Sequence, residues 1–117
     1  MDERLQKALE FSNYRQTLNN QLHQLKVTAE THLTISLNGG HFTIDRVLIS
    51  FVHMLVQMEQ ERAVLLDNNQ VPVEINNLEE FLEEITSKYF EVTNEYHANY
   101  ERTRKSRKIQ SILDIKD

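Results

Sequence analysis

Cysteine is absent from the 117 residues, glycine occurs twice and proline once, and no apolar run approaches the length of a membrane span. Without cysteine there are no disulfides and no thiolate metal sites, which fits a reducing compartment. A bilayer crossing needs ~20 consecutive apolar residues, so none is expected. The opening MDERLQKALE is charged and helical in pattern, without the apolar centre of a signal peptide, so a cytoplasmic location is expected. Hydrophobic content of 39% and charged content of 26% describe a globular chain rather than a disordered one. The length suits one domain, residues 1–117, with a modest core.

The scarce turn residues lie in two hairpin-like segments, ISLNGGHFTID from Ile35 to Asp45 and VLLDNNQVPVE from Val64 to Glu74. They align without a gap at an offset of 29, which matches Ile35 with Val64, Leu37 with Leu66, Asn38 with Asp67, Phe42 with Val71 and Ile44 with Val73. Glycine and asparagine tolerate the positive φ of tight turns, and the flanking residues are β-branched or aromatic, as strands prefer. Pro72 lacks a donor, which places it on an edge strand or off the ladder.

A helix is expected after each hairpin. Val47, Leu48, Phe51, Leu55 and Met58 recur at helical spacing after the first, and Leu78, Phe81, Leu82 and Ile85 after the second. Leu48, Phe51, Val52 and Leu55 match Leu78, Phe81, Leu82 and Ile85 at an offset of 30. Asn77 reads as an N-cap with Glu80 as a capping-box partner, and Thr43 or Asp45 as the start of the earlier helix. The expected fold is therefore α+β: two tandem hairpin–helix units, about 33–58 and 62–87, forming one four-stranded antiparallel sheet between long helices at about 2–29 and 78–108, with a tail at 109–117.

The outer helices exceed what such a sheet needs. Leu5, Leu9, Phe11, Tyr14, Leu18, Leu22 and Leu25 supply one apolar side, and Leu78, Leu82, Ile85, Tyr89, Val92, Tyr96, Asn99 and Thr103 follow a heptad that fades into polar residues. The two helices can pair within one chain or build a homo-oligomer, a dimer first on grounds of symmetry, with Tyr89, Val92 and Tyr96 as candidate seam.

The last helix opens with Glu79, Glu80, Glu83 and Glu84 and closes with Arg102, Arg104, Lys105, Arg107 and Lys108. That polarity suits the helix dipole by itself. The basic run is also a candidate contact to an acidic protein surface or to nucleic-acid phosphate. Net charge is −5, and −10 without the run, whereas a nucleic-acid binder of this size is normally basic. Beyond it, Ile112 and Leu113 belong to an apolar–acidic tail that either folds back as a last helical turn or docks into a partner.

Catalytic patterns are missing. His23, His32, His41, His53 and His97 are scattered, with none four apart as zinc on a helix requires. His32 and His41 are candidates for a cross-strand pair. Gly39-Gly40 is not followed by the Lys-Ser/Thr of a phosphate loop, and no serine sits in a nucleophile elbow. No catalytic, metal or cofactor residues are expected, and no cofactor.

The stretches MDERLQKALEFSNY, NGGHFTI, NLEEFLEEI and TNEYHANYERTRKSR resemble small proteins of unassigned function encoded by contractile-tailed marine cyanophages. The resemblance implies a viral protein in a bacterial cytoplasm, accessory to phage development or associated with the virion. The expected function is a non-enzymatic, oligomeric adaptor or assembly protein. The alternative is a small nucleic-acid-associated accessory of transcription or replication that uses residues 102–108.

Overall fold

The computed structural model describes residues 2–116, with side chains through Ser106. The order is α1 (Glu3–His32), β1 (Thr34–Leu37), β2 (Gly40–Thr43), α2 (Arg46–Gln57), β3 (Ala63–Leu66), β4 (Pro72–Ile75) and α3 (Leu78–Lys116). Two compact units result. One holds Ala29–Asn94, with both hairpins, α2 and the start of α3. The other holds Met1–Thr28 and Glu95–Asp117.

The first hairpin pairs Leu37 with Gly40 across the two-residue turn Asn38-Gly39, at φ +49° and +84°. Positive φ at both central positions is the type I′ geometry whose twist matches the strands. The second hairpin pairs Leu66 with Pro72, so its loop has five residues, with Gln70 at φ +64°. The unequal loops upset the gapless alignment. Ile35 and Leu37 pack against the core, but Val64 and Leu66 are exposed and Leu65 is buried between them. A slip of one residue turns a strand over, so Leu65 takes the place expected of Val64. On the second strand the shift is two residues, so Val73 and Ile75 correspond to Phe42 and Ile44, and Val71 faces solvent.

The strands pair only within each hairpin, giving two two-stranded sheets in place of the expected single four-stranded one. The reason lies at the free edge of β2. Asp67 Oδ2 accepts the His41 N–H at 2.9 Å, Asn68 donates its N–H to the His41 carbonyl at 2.8 Å, and Asn68 Oδ1 accepts the Thr43 N–H at 3.2 Å. Groups that would have bonded a third strand are taken by the other hairpin's loop. The exchange is reciprocal: Asn38 Nδ2 donates to the Glu74 carbonyl of β4 at 3.0 Å. The junction is tight, since a Cβ on buried Gly40 would collide with Val73 Cγ2 and approach Asp67 Cβ to 3.3 Å.

Beneath the hairpins, Phe42, Ile44, Val52, Leu65, Val73, Ile75, Leu78, Phe81 and Ile85 form the core, with Phe42 and Phe81 edge to face at 6.0 Å. Each following helix is capped. Asp45 Oδ1 accepts from the Leu48 N–H at 2.7 Å, and Asn77 Oδ1 from the Glu80 N–H at 3.1 Å. Both caps agree with the sequence reading.

The expected heptad of α3 is covered within the chain. Leu78, Ile85 and Val92 are buried, and Leu82, Tyr89, Tyr96, Asn99 and Thr103 are half-buried. In the helical unit the half-buried residues of α1 are Tyr14, Leu18, Gln21, Leu22 and Leu25, again one face, while Leu5, Leu9 and Phe11 are exposed. The α3 backbone runs unbroken to Lys116, so the helix expected to end near residue 108 takes in residues 109–116 as well.

Candidate functional site

Among the exposed apolar features of the described residues, the second side of α2 is a contiguous one. Its sequence from Val47 to Met58 carries no charge and only three polar residues, Ser50, His53 and Gln57. At about 100° per residue its apolar positions sweep about 220° of the helix. The core uses part of that arc, with Val52 buried and Leu48, Ile49, Leu55 and Val56 packed around it. The rest, Val47, Phe51, Met54 and Met58, is 76, 45, 46 and 61% exposed. These four recur at intervals of four, three and four residues, which makes them one strip.

The sequence marked Val47, Leu48, Phe51, Leu55 and Met58 as recurring at helical spacing. The structure divides them, with Leu48 and Leu55 inward and Val47, Phe51 and Met58 outward, and adds Met54. The signal that could have found the strip was present: an arc wider than one core contact can cover.

The helix ends beside this strip are also informative. Arg46 opens α2, and no acidic residue occupies its first turn. The C-terminus closes by the Schellman pattern, with Gln60 N–H bonded to the Leu55 carbonyl and Glu59 N–H to that of Val56, each at 3.0 Å. That pattern calls for a left-handed residue, usually glycine, and here Glu59 adopts φ +63°. A cation at the positive end and an anion at the negative end both oppose the helix dipole. Among the described residues neither Arg46 nor Glu59 forms an ion pair.

Asp67 is the only buried charged or polar side chain among the described residues, at 4% exposure. It accepts backbone N–H bonds from His41, Asn69 and Val71 at 2.8–2.9 Å. The bonds from His41 and Val71 lower its pKa most. Burial opposes them, and the Asn69 bond and the nearby His41 lower it further. A carboxylate satisfied in this way is a structural knot holding both hairpins. Sequence alignment matched it to the turn residue Asn38; in the fold it occupies the inward position that Leu37 has in the first hairpin.

The sequence-derived candidates are dispersed. Arg102, Arg104 and Lys105 are exposed on α3. Arg104 pairs with Glu101 at 3.1 Å and Arg102 bonds Asn99 at 3.2 Å, so two of the three are engaged along their own helix. The side chains of Arg107, Lys108, Ile112 and Leu113 lie outside the described residues. Of the seam candidates, Val92 is buried, Tyr89 packs against the hairpin core and Tyr96 is half-buried, 6.1 Å from Tyr100. His32 ends α1, and the cross-strand neighbour of His41 is Ser36, whose Oγ lies 2.8 Å from His41 Nδ1; the expected His32–His41 pair is not formed because His32 belongs to no strand.

Among the described residues no group of three or more histidines, aspartates or glutamates is placed to hold a metal ion, and no helix is long and apolar enough to cross a membrane. A cleft of about 430 Å³ is lined by Val56, Glu59, Gln60, Glu61, Asn76, Asn77 and Glu79. It gathers carboxylates and amides but no base–nucleophile pair. Comparison with protein-family models, with curated proteins and with solved structures found no match.

Proposed function

We propose that this chain is a non-catalytic interaction protein that works as a homo-oligomer in a larger assembly. The carrying observation is the α2 strip of Val47, Phe51, Met54 and Met58, large apolar side chains in an uncharged row that the chain's own core does not use. A contiguous apolar surface of this kind marks a protein contact. Burial of Val92 and the packing of Tyr89 against the hairpin core support α2 over the α3 stripe as the contact surface. The cyanophage resemblance supports a setting in phage development or in the particle. The test is the solution mass of the full chain from low to high micromolar concentration. A rise from monomer to dimer is expected; a strict monomer throughout would remove the homo-oligomeric reading.

The exposure of Arg102 and Lys105 favours one second reading, contact with nucleic-acid phosphate through the basic run. On that reading, changing Arg104, Lys105 and Arg107 to Glu abolishes salt-sensitive DNA or RNA binding. Absence of binding by the wild type at low salt would end it.

A further inference from the structure

We infer that the occupant of the α2 strip is α2 of a second copy, lying antiparallel across a two-fold axis that passes between Val52 and His53. The inference rests on the homo-oligomeric reading above and names its surface. Three features of the helix and its end support it.

The first is spacing. Intervals of four, three and four read the same in both directions, so a two-fold axis at the midpoint maps the strip onto itself. Phe51 then meets Met54 of the other copy, and Val47 meets Met58. An isologous contact requires this self-complementarity, in which i touches j and j touches i. The strip also carries no charge that would face its own image.

The second is charge. Arg46 and Glu59 lie symmetrically about the same midpoint, one residue beyond each end of the strip, so the antiparallel arrangement sets the Arg46 end of each α2 beside the Glu59 end of the other, twice per dimer. Each is at the wrong end of its own helix dipole and lacks an ion-pair partner among the described residues. The second copy supplies both the missing partner and an opposed dipole.

The third is backbone. Glu59 holds a left-handed conformation in which glycine would be unstrained. On this arrangement the Glu59 carboxylate, which a glycine would lack, faces the Arg46 end of the second copy. Four apolar side chains are fewer than a standard interface of roughly 800 Å² per partner contains, so affinity on the order of micromolar is expected.

Sedimentation velocity and cysteine cross-linking of the full chain test the arrangement. Phe51→Glu should weaken association about tenfold or more. Arg46→Glu and Glu59→Arg should each weaken it, and the double variant should recover most of the loss. Because the natural chain has no cysteine, Val47→Cys mixed with Met58→Cys should give a heterodimeric disulfide under mild oxidation. Val47→Cys alone should not, since the axis holds its two copies ~16 Å apart. Circular dichroism identifies any variant that fails to fold, and the charge-swap pair stands in for it. A wild-type dimer indifferent to Phe51→Glu and to both charge changes overturns the α2 surface while leaving self-association intact. A wild-type chain that stays monomeric overturns both.

Discussion

Phe51 and Phe81 occupy matching positions when the two hairpin–helix units are aligned by sequence, yet one is 45% exposed and the other 3%. The difference is set at the caps. Phe51 lies six residues after its N-cap Asp45, and Phe81 lies four after Asn77. Two residues at about 100° each rotate a side chain to the opposite side of its helix. The second unit therefore spends its phenylalanine on the core and shows solvent Glu79, Glu80, Glu83 and Glu84. The first turns its phenylalanine outward among Val47, Met54 and Met58. The two units resemble each other in order of elements and in capping, and they diverge in what their helices show the outside. Two similar hairpin–helix units thus differ in that one gives its phenylalanine to the core and the other shows it to solvent.

The sharpest way to break this comparison is to truncate one phenylalanine from each side of it. Phe42→Ala, which removes the edge-to-face partner of Phe81, should cost about 3–5 kcal/mol in denaturant unfolding. Phe51→Ala should stay within about 0.5 kcal/mol for the monomer while weakening self-association. Next in size is Gly40→Ala, whose Cβ has no room against Val73; overpacking of about 1–3 kcal/mol is expected by the same measurement.

Asp67 gives a pH-dependent test of the knot between the hairpins. Its folded pKa lies below its unfolded value, so the stability it contributes is fully present above the unfolded pKa of about 3.9. That contribution is lost as pH falls through the lower folded value. Melting temperature should thus drop in acid for the wild type, and the acid limb should be shallower for Asp67→Asn. The smallest expected effect is of opposite sign. Glu59→Gly relieves a left-handed residue and should stabilise the monomer by about 1 kcal/mol, while removing the Arg46 contact and lowering dimer affinity.

The order of elements was legible from two glycines, one proline and two asparagine-containing turns; the cap at Asn77 could be read with Glu80, while the first cap was open between Thr43 and Asp45, which the Asp45–Leu48 bond decides. Register was not. A gapless alignment assumes equal loops, and the five residues from Asp67 to Val71 against two at Asn38-Gly39 moved Leu65 inward and Val64 outward. The absence of a four-stranded sheet was equally hidden, because it depends on Asp67 and Asn68 reaching His41 and Thr43 of β2 from 26 and 25 residues away in sequence. The candidate site was half visible. The apolar residues of α2 were counted, but which of them the core would leave uncovered follows from helix phase, and phase follows from the cap. The seam residues of α3 were identified as a stripe from their spacing; that the chain covers its own stripe is a tertiary fact.

The most direct test of the central claim is the sedimentation of wild type and Phe51→Glu side by side at high micromolar concentration. A reversible wild-type dimer whose dissociation constant Phe51→Glu raises about tenfold or more, with circular dichroism unchanged, is the result expected. An unchanged dissociation constant in Phe51→Glu, or a wild type that never leaves the monomer, contradicts the assignment of α2 as the chain's working surface.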